Sequence, residues 1–191
     1  MTHKFDVKNK HKLDNEHRRK LLPPMDTLLS LELKVGDIMA DIGCGIGYFS
    51  IPASEIIGTS GKVFALDISP EMLEEVEKKV VELNISNIET ILTDGNKLKL
   101  KKHHINFAFM SNVLHEIEDK EKLLEEIKDI LVNKGRIAIV EWQKNNTEFG
   151  PAKEDRLDKV DLVKLLEKLG FYNIATIDIG ENFYGVTAEK H

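Results

Sequence analysis

The chain alternates short apolar runs with amphipathic helical stretches, then ends in two apolar runs, 171–179 and 183–189, joined only by Gly180-Glu181-Asn182. So short a link permits only an antiparallel pair, whereas strands separated by a helical crossover pair in parallel. The pattern predicts an α/β protein: a Rossmann-like, doubly wound three-layer sandwich whose mostly parallel seven-stranded sheet closes in a C-terminal antiparallel hairpin. The first five strands are expected at 38–42, 62–68, 88–93, 105–111 and 136–142. Helices are expected from Pro23-Pro24 to about Leu31, from about Tyr48 to about Ile57, and from Ser69-Pro70 through Leu83. Ser69 suits the N-cap and Pro70 the first helical position. A further helix carries Leu123, Leu124, Ile127, Ile130 and Leu131 and closes at Asn133-Lys134-Gly135; the last carries Leu162, Leu165, Leu166 and Leu169 before Gly170.

At 191 residues the chain is sized for one core. We divide it into an N-terminal arm and helix at 1–32, read as a lid or acceptor-side element, and a binding domain at 33–191. No apolar run approaches the roughly 18–20 residues that cross a bilayer. The single cysteine, Cys44, excludes a disulfide framework and a multi-cysteine zinc site, so no metal is expected and a cytoplasmic setting is the default. The net charge of −6 is uneven: residues 1–20 hold seven Lys/Arg against three Asp/Glu, which leaves the body acidic. An acidic body argues against a nucleic-acid partner. The sequence does not set the oligomeric state.

The chemistry concentrates in Asp41-Ile42-Gly43-Cys44-Gly45-Ile46-Gly47, directly after the first strand. In open α/β sheets ligands bind at the carboxyl ends of the strands, where such a glycine turn lets backbone approach them. A GxGxG run alone also suits a dinucleotide. Here, however, bulky Tyr48 stands where a nicotinamide or flavin site wants a third glycine, and Asp41 precedes the turn. A carboxylate there repels a pyrophosphate and suits an ammonium or sulfonium ligand. Asp67 ends the second strand, placed to accept the two hydroxyls of a ribose. Asp94-Gly95-Asn96 ends the third, where an acceptor beside flexible backbone suits an adenine.

The succession of Asp41–Gly47, Asp67, Asp94 and the strand running into Ser111-Asn112-Val113-Leu114-His115-Glu116 resembles the class I S-adenosylmethionine-dependent methyltransferases. The resemblance spans about residues 33–189 and is closest to the type 11 branch with the ubiquinone/menaquinone-biosynthesis and arsenite enzymes. It implies S-adenosylmethionine as cofactor and S-adenosylhomocysteine as product. It also implies a cofactor pocket lined by Asp41, Gly43, Cys44, Gly45, Gly47, Asp67, Ile68, Met72, Asp94, Gly95, Ser111 and Asn112. Met72 suits either the adenine edge or the core of its helix.

Methyl transfer needs orientation and desolvation first, and a base only when the acceptor must lose a proton. His115 and Glu116 are the candidates for that base, with packing or capping roles as the alternative. Glu141 and Trp142 end the fifth strand, so one of them is expected to face the acceptor. Phe183 and Tyr184 are weaker candidates. The acceptor is expected to be a small molecule. An arsenite site would need several thiols, and the Asn-Pro-Pro-aromatic run of amine- and adenine-methylating enzymes is absent. The arm and the polar stretch 143–157 are expected to frame the acceptor, with Arg18, Arg19 and Lys153 available to an anion. A cofactor-binding module without turnover and a nicotinamide oxidoreductase are the competing readings.

Overall fold

The computed structural model describes residues 13–191 apart from 96, 146 and 148. The expected sheet forms from β1 (Ile38–Ile42), β2 (Lys62–Asp67), β3 (Ile88–Leu92), β4 (Ile105–Ser111), β5 (Leu131–Trp142), β6 (Phe171–Ile179) and β7 (Phe183–Lys190), in the order β3-β2-β1-β4-β5-β7-β6. The first five strands run parallel, and β7 slots antiparallel between β5 and the edge strand β6. The chain reverses its direction of travel across the sheet between β1 and β4, which opens a crevice at their carboxyl ends.

Alternation along β1 divides the core. Met39 packs with Leu28, Phe49 and Ile57, the side of α2 (Pro24–Ser30) and α3 (Ser50–Ile57). Ala40 and Ile42 pack with Leu123, Ile127, Leu162 and Leu166, the side of α5 (Lys120–Ile130) and α6 (Lys159–Lys168). Between them in sequence, α4 (Pro70–Glu82) starts as expected, the Ser69 hydroxyl accepting from the Met72 amide. A short α1 (Glu16–Leu21), capped by Asn15, precedes these elements. The first twelve residues of the arm lie outside the described residues.

Two places differ from the sequence reading by more than a residue. The helix expected from Tyr48 begins at Ser50, because the backbone is still turning through Gly47–Phe49. Asn133-Lys134-Gly135 does not cap α5, which ends at Ile130. It forms a bulge within β5, where pairing jumps from Ile105↔Leu131 to Phe107↔Arg136 and Lys134 takes a φ of 61°.

A buried polar clasp holds the amino ends of the central strands. Asp37 accepts from the Lys34 amide (2.9 Å), Arg136 Nη2 (3.1 Å) and Asn106 Nδ2 (3.1 Å), while Asn106 Oδ1 accepts from the Ile38 amide (2.7 Å). This ties β1, β4 and β5 together at the end away from the crevice. Asp37→Ala strands the guanidinium and the carboxamide, and we expect it to cost about 2–4 kcal/mol in urea unfolding.

Candidate active site at the carboxyl ends of the strands

The glycine turn is fixed by β2. The amides of Gly43 and Cys44 both donate to the Leu66 carbonyl (2.8 and 2.9 Å), and the Gly45 amide donates to Asp67 Oδ2 (2.9 Å). The other oxygen of Asp67 takes the Ser69 amide (2.9 Å), so one carboxylate joins the turn to the start of α4. Each oxygen keeps acceptor capacity for a further donor. Gly43 has a φ of 74°, and a Cβ there would collide with Val113; this is how the turn meets the segment after β4.

Asp41 is 3% exposed and points to the α3 side, where the Ser50 hydroxyl donates to it (2.5 Å). Burial raises its carboxyl from 3.8 to about 7; the Ser50 bond opposes the rise and the charge of Asp67 adds to it. Cys44 is buried, and burial pushes its thiol well above the ordinary range. Met72 is buried on α4, with its amide capped by Ser69. Ile68 and Leu92, by contrast, are 40% and 45% exposed at the ends of neighbouring strands. Asp94 turns back to accept the Lys97 amide (2.9 Å), and the space before Gly95 is open; Asn96 lies outside the described residues.

Past β4, Asn112 adopts a φ of 57° and its amide donates to the Val140 carbonyl (2.8 Å). Its Nδ2 reaches the Ser111 hydroxyl (3.3 Å), while its buried Oδ1 has no hydrogen-bond partner among the described residues. A short helical turn, Leu114–Glu116, follows. On it, His115 Nδ1 lies 2.7 Å from Glu141 Oε2, and the His115 amide donates to Glu141 Oε1 (3.2 Å). Glu116 stands on the other side of the ring, its Oε1 3.9 Å from His115 Nε2. Of the two residues ending β5, Glu141 is thus the one tied to the post-β4 segment. Trp142 packs against Phe183 (centroids 4.3 Å apart), Phe149 and Gly150, with the Arg156 guanidinium 5.3 Å from its ring. Tyr184 is buried and donates to the Leu157 carbonyl (2.9 Å).

Tyr48 explains why no third glycine is wanted. Its hydroxyl donates to the Leu22 carbonyl (2.7 Å), and the Arg18 guanidinium lies 4.5 Å above its ring. Leu13 rests on Gly45, and His17 meets Phe149 edge-on. Arg19 is occupied by a bidentate pair with Asp14, and Lys153 is exposed. A residue that sequence reasoning missed organises the 143–157 stretch. Arg156 is 3% exposed and donates to the carbonyls of Gln143, Asn145, Phe149 and Pro151, as well as to the Thr147 hydroxyl. Its one sequence signal is being the only arginine after Arg136.

The profile of the family described as "Methyltransferase domain" matches residues 33–180. A S-adenosylmethionine-dependent methyltransferase structure from Aquifex aeolicus superposes with a TM-score of 0.93 and 31% identity, over 98% of this chain and 100% of that one. Among curated proteins, demethylmenaquinone methyltransferase of Oceanobacillus iheyensis is 27% identical over 61% of this chain and 49% of its own. Protein-L-isoaspartate O-methyltransferase 2 of Archaeoglobus fulgidus is 28% identical over 75% of this chain and 66% of its own. The chain thus spans about half of the first and two thirds of the second of these curated relatives. It belongs to the methyltransferase-domain family, as a class I S-adenosylmethionine-dependent methyltransferase.

Two predictions follow from the buried groups. Between about pH 4 and 7 the unfolded chain releases the Asp41 proton that the folded chain keeps, so stability falls as pH rises through that window. Asp41→Asn, which still accepts from Ser50, should match the wild type at pH 4 and exceed it by on the order of 2–4 kcal/mol at pH 8 in ligand-free unfolding. Arg156→Gln should leave the melting temperature of the sheet within a few degrees but speed proteolytic cleavage within 143–157 at least tenfold; an unchanged cleavage rate counts against the loop-organising role.

Proposed function

We propose that the protein transfers the methyl group of S-adenosylmethionine to a small-molecule acceptor. The observation that carries this reading is the joint made by Asp67, which sets the glycine turn, the end of β2 and the start of α4 around one crevice. Bound S-adenosylmethionine supplies an electrophilic methyl carbon on a sulfonium. In this reading Asp67 receives the ribose hydroxyls on its remaining lone pairs. Ile68 and Leu92 cover the adenine, with Asp94 and Gly95 at its polar edge and Met72 behind, inside α4. Gly43, Cys44, Gly45 and Gly47 cradle the methionine part with backbone, and Asp41 favours the cationic end.

Ser111 and Asn112 close the methyl side. The fit is supported by the buried Asn112 Oδ1, an acceptor without a partner among the described residues, at the strand end where the ligand's donors would arrive. His115 is the base when the acceptor must lose a proton, and Glu116 flanks it.

The arm at 1–32 serves as the cover on the acceptor side, together with the 143–157 stretch. This is supported by Leu13 on Gly45, Tyr48 bonded to Leu22, and His17 against Phe149. No described helix is long and apolar enough to cross a membrane. The reading includes a cytoplasmic setting and no nucleic-acid partner, resting on the lone buried thiol and the acidic body.

Calorimetry with S-adenosylhomocysteine tests the site. Asp67→Ala should weaken binding by about 1.5–3 kcal/mol, roughly 10- to 150-fold. Unchanged affinity removes Asp67 from the site, and preference for NAD over S-adenosylhomocysteine would falsify the reading.

A further inference from the structure

Glu141 is fully buried at the end of β5, and its hydrogen bonds run to one residue: Oε1 takes the His115 amide and Oε2 lies 2.7 Å from His115 Nδ1. No lysine or arginine pairs with it among the described residues. A carboxylate removed from water costs several kcal/mol unless hydrogen bonds and opposite charge offset it, and here the offset comes from one imidazole. The two bonds hold His115 by its backbone amide and by one ring nitrogen. Nδ1 carries the proton given to Glu141, so the lone pair resides on Nε2. The turn bearing His115 begins two residues after Asn112, beyond the same strand end.

We propose, resting on the methyltransferase reading above, that Glu141 is the positioning residue that makes His115 Nε2 a base, and that the acceptor carries a phenol-type hydroxyl which must ionise before attack. A carboxylate acceptor arrives already ionised and gives such a base nothing to do. An aliphatic alcohol is far less acidic than a phenol, so the same imidazole takes its proton less readily. In the step itself, the hydroxyl proton passes to Nε2 and the oxygen's electron pair forms the bond to the methyl carbon. The carbon–sulfur bond breaks with its pair on sulfur, leaving a neutral thioether, and the imidazolium then returns its proton to solvent.

The charged surroundings agree. Burial alone lowers the His115 pKa. The hydrogen bond to Glu141 and the charges of Glu141 and Glu116 outweigh that and raise it above 6.5, with Lys120 on α5 opposing. On the far side of Glu141, Tyr184 of β7 stays protonated, its phenol raised by burial and by Glu141, Asp158 and Asp161.

The test uses the full chain saturated with S-adenosylhomocysteine, with the His115 ring nitrogens followed by NMR across pH, and methyl transfer from S-adenosylmethionine to 1,4-naphthohydroquinone and catechol as probes. Expected are an Nδ1–H tautomer and a His115 pKa above 6.5. The transfer rate should rise with pH through that pKa. In Glu141→Gln, whose binding of S-adenosylhomocysteine is checked first, the pKa falls and the acid limb of the rate moves to lower pH. Its kcat drops about 10- to 100-fold while KM stays within twofold. An Nε2–H tautomer in the wild type, which needs no variant, overturns the proposal. So does an acid limb that Glu141→Gln leaves in place, or the failure of a cofactor-binding wild type to methylate either probe. Failure to bind the cofactor at all instead strikes the underlying methyltransferase reading.

Discussion

The Asp67 carboxylate accepts one amide from the glycine turn after β1 and another from the first turn of α4, so two loops from different strands share a single anion. Charge-assisted bonds to backbone amides are stronger than neutral ones and leave the chain little freedom. With Gly45 held in this way, Gly43 lies close against Val113, which joins the turn to the segment after β4. The clasp around Asp37 at the opposite end keeps the same strands in register. The site therefore sits on a sheet pinned at both ends.

Two further carboxylates are buried and differ in their company. Asp41 has a hydroxyl, which stabilises its charge weakly, so burial dominates and the acid becomes easy to protonate. Glu141 has an imidazole and an amide, and it transmits its charge to the ring it holds. Similar burial has different outcomes: at Asp41 it raises the acid itself, while at Glu141 the hydrogen bond and charge raise the imidazole beside it.

Much of the architecture was legible because periodicity and turn chemistry act locally. β1, β4 and β6 begin and end where the apolar runs do, and the three-residue link forced the antiparallel hairpin. The Asn133-Lys134-Gly135 break was visible but its meaning was not: the residues that end a helix also make a bulge, and only pairing with Ile105 and Phe107 decides. At the site, Asp67 beside the glycine turn was foreseeable from strand ends. The partnership of His115 with Glu141 was not, since it joins residues 26 apart through side chains that only the sheet order brings together. Arg156 escaped for a similar reason, because its partners are backbone carbonyls, which leave no mark in a sequence.

The segment around α1 meets the glycine turn, with Leu13 on Gly45 and the Leu22 carbonyl accepting from Tyr48, and meets the 143–157 stretch where His17 lies against Phe149. Were the glycine turn and the 143–157 stretch each to hold a ligand, a segment packed on both would make the two affinities interdependent by thermodynamic linkage.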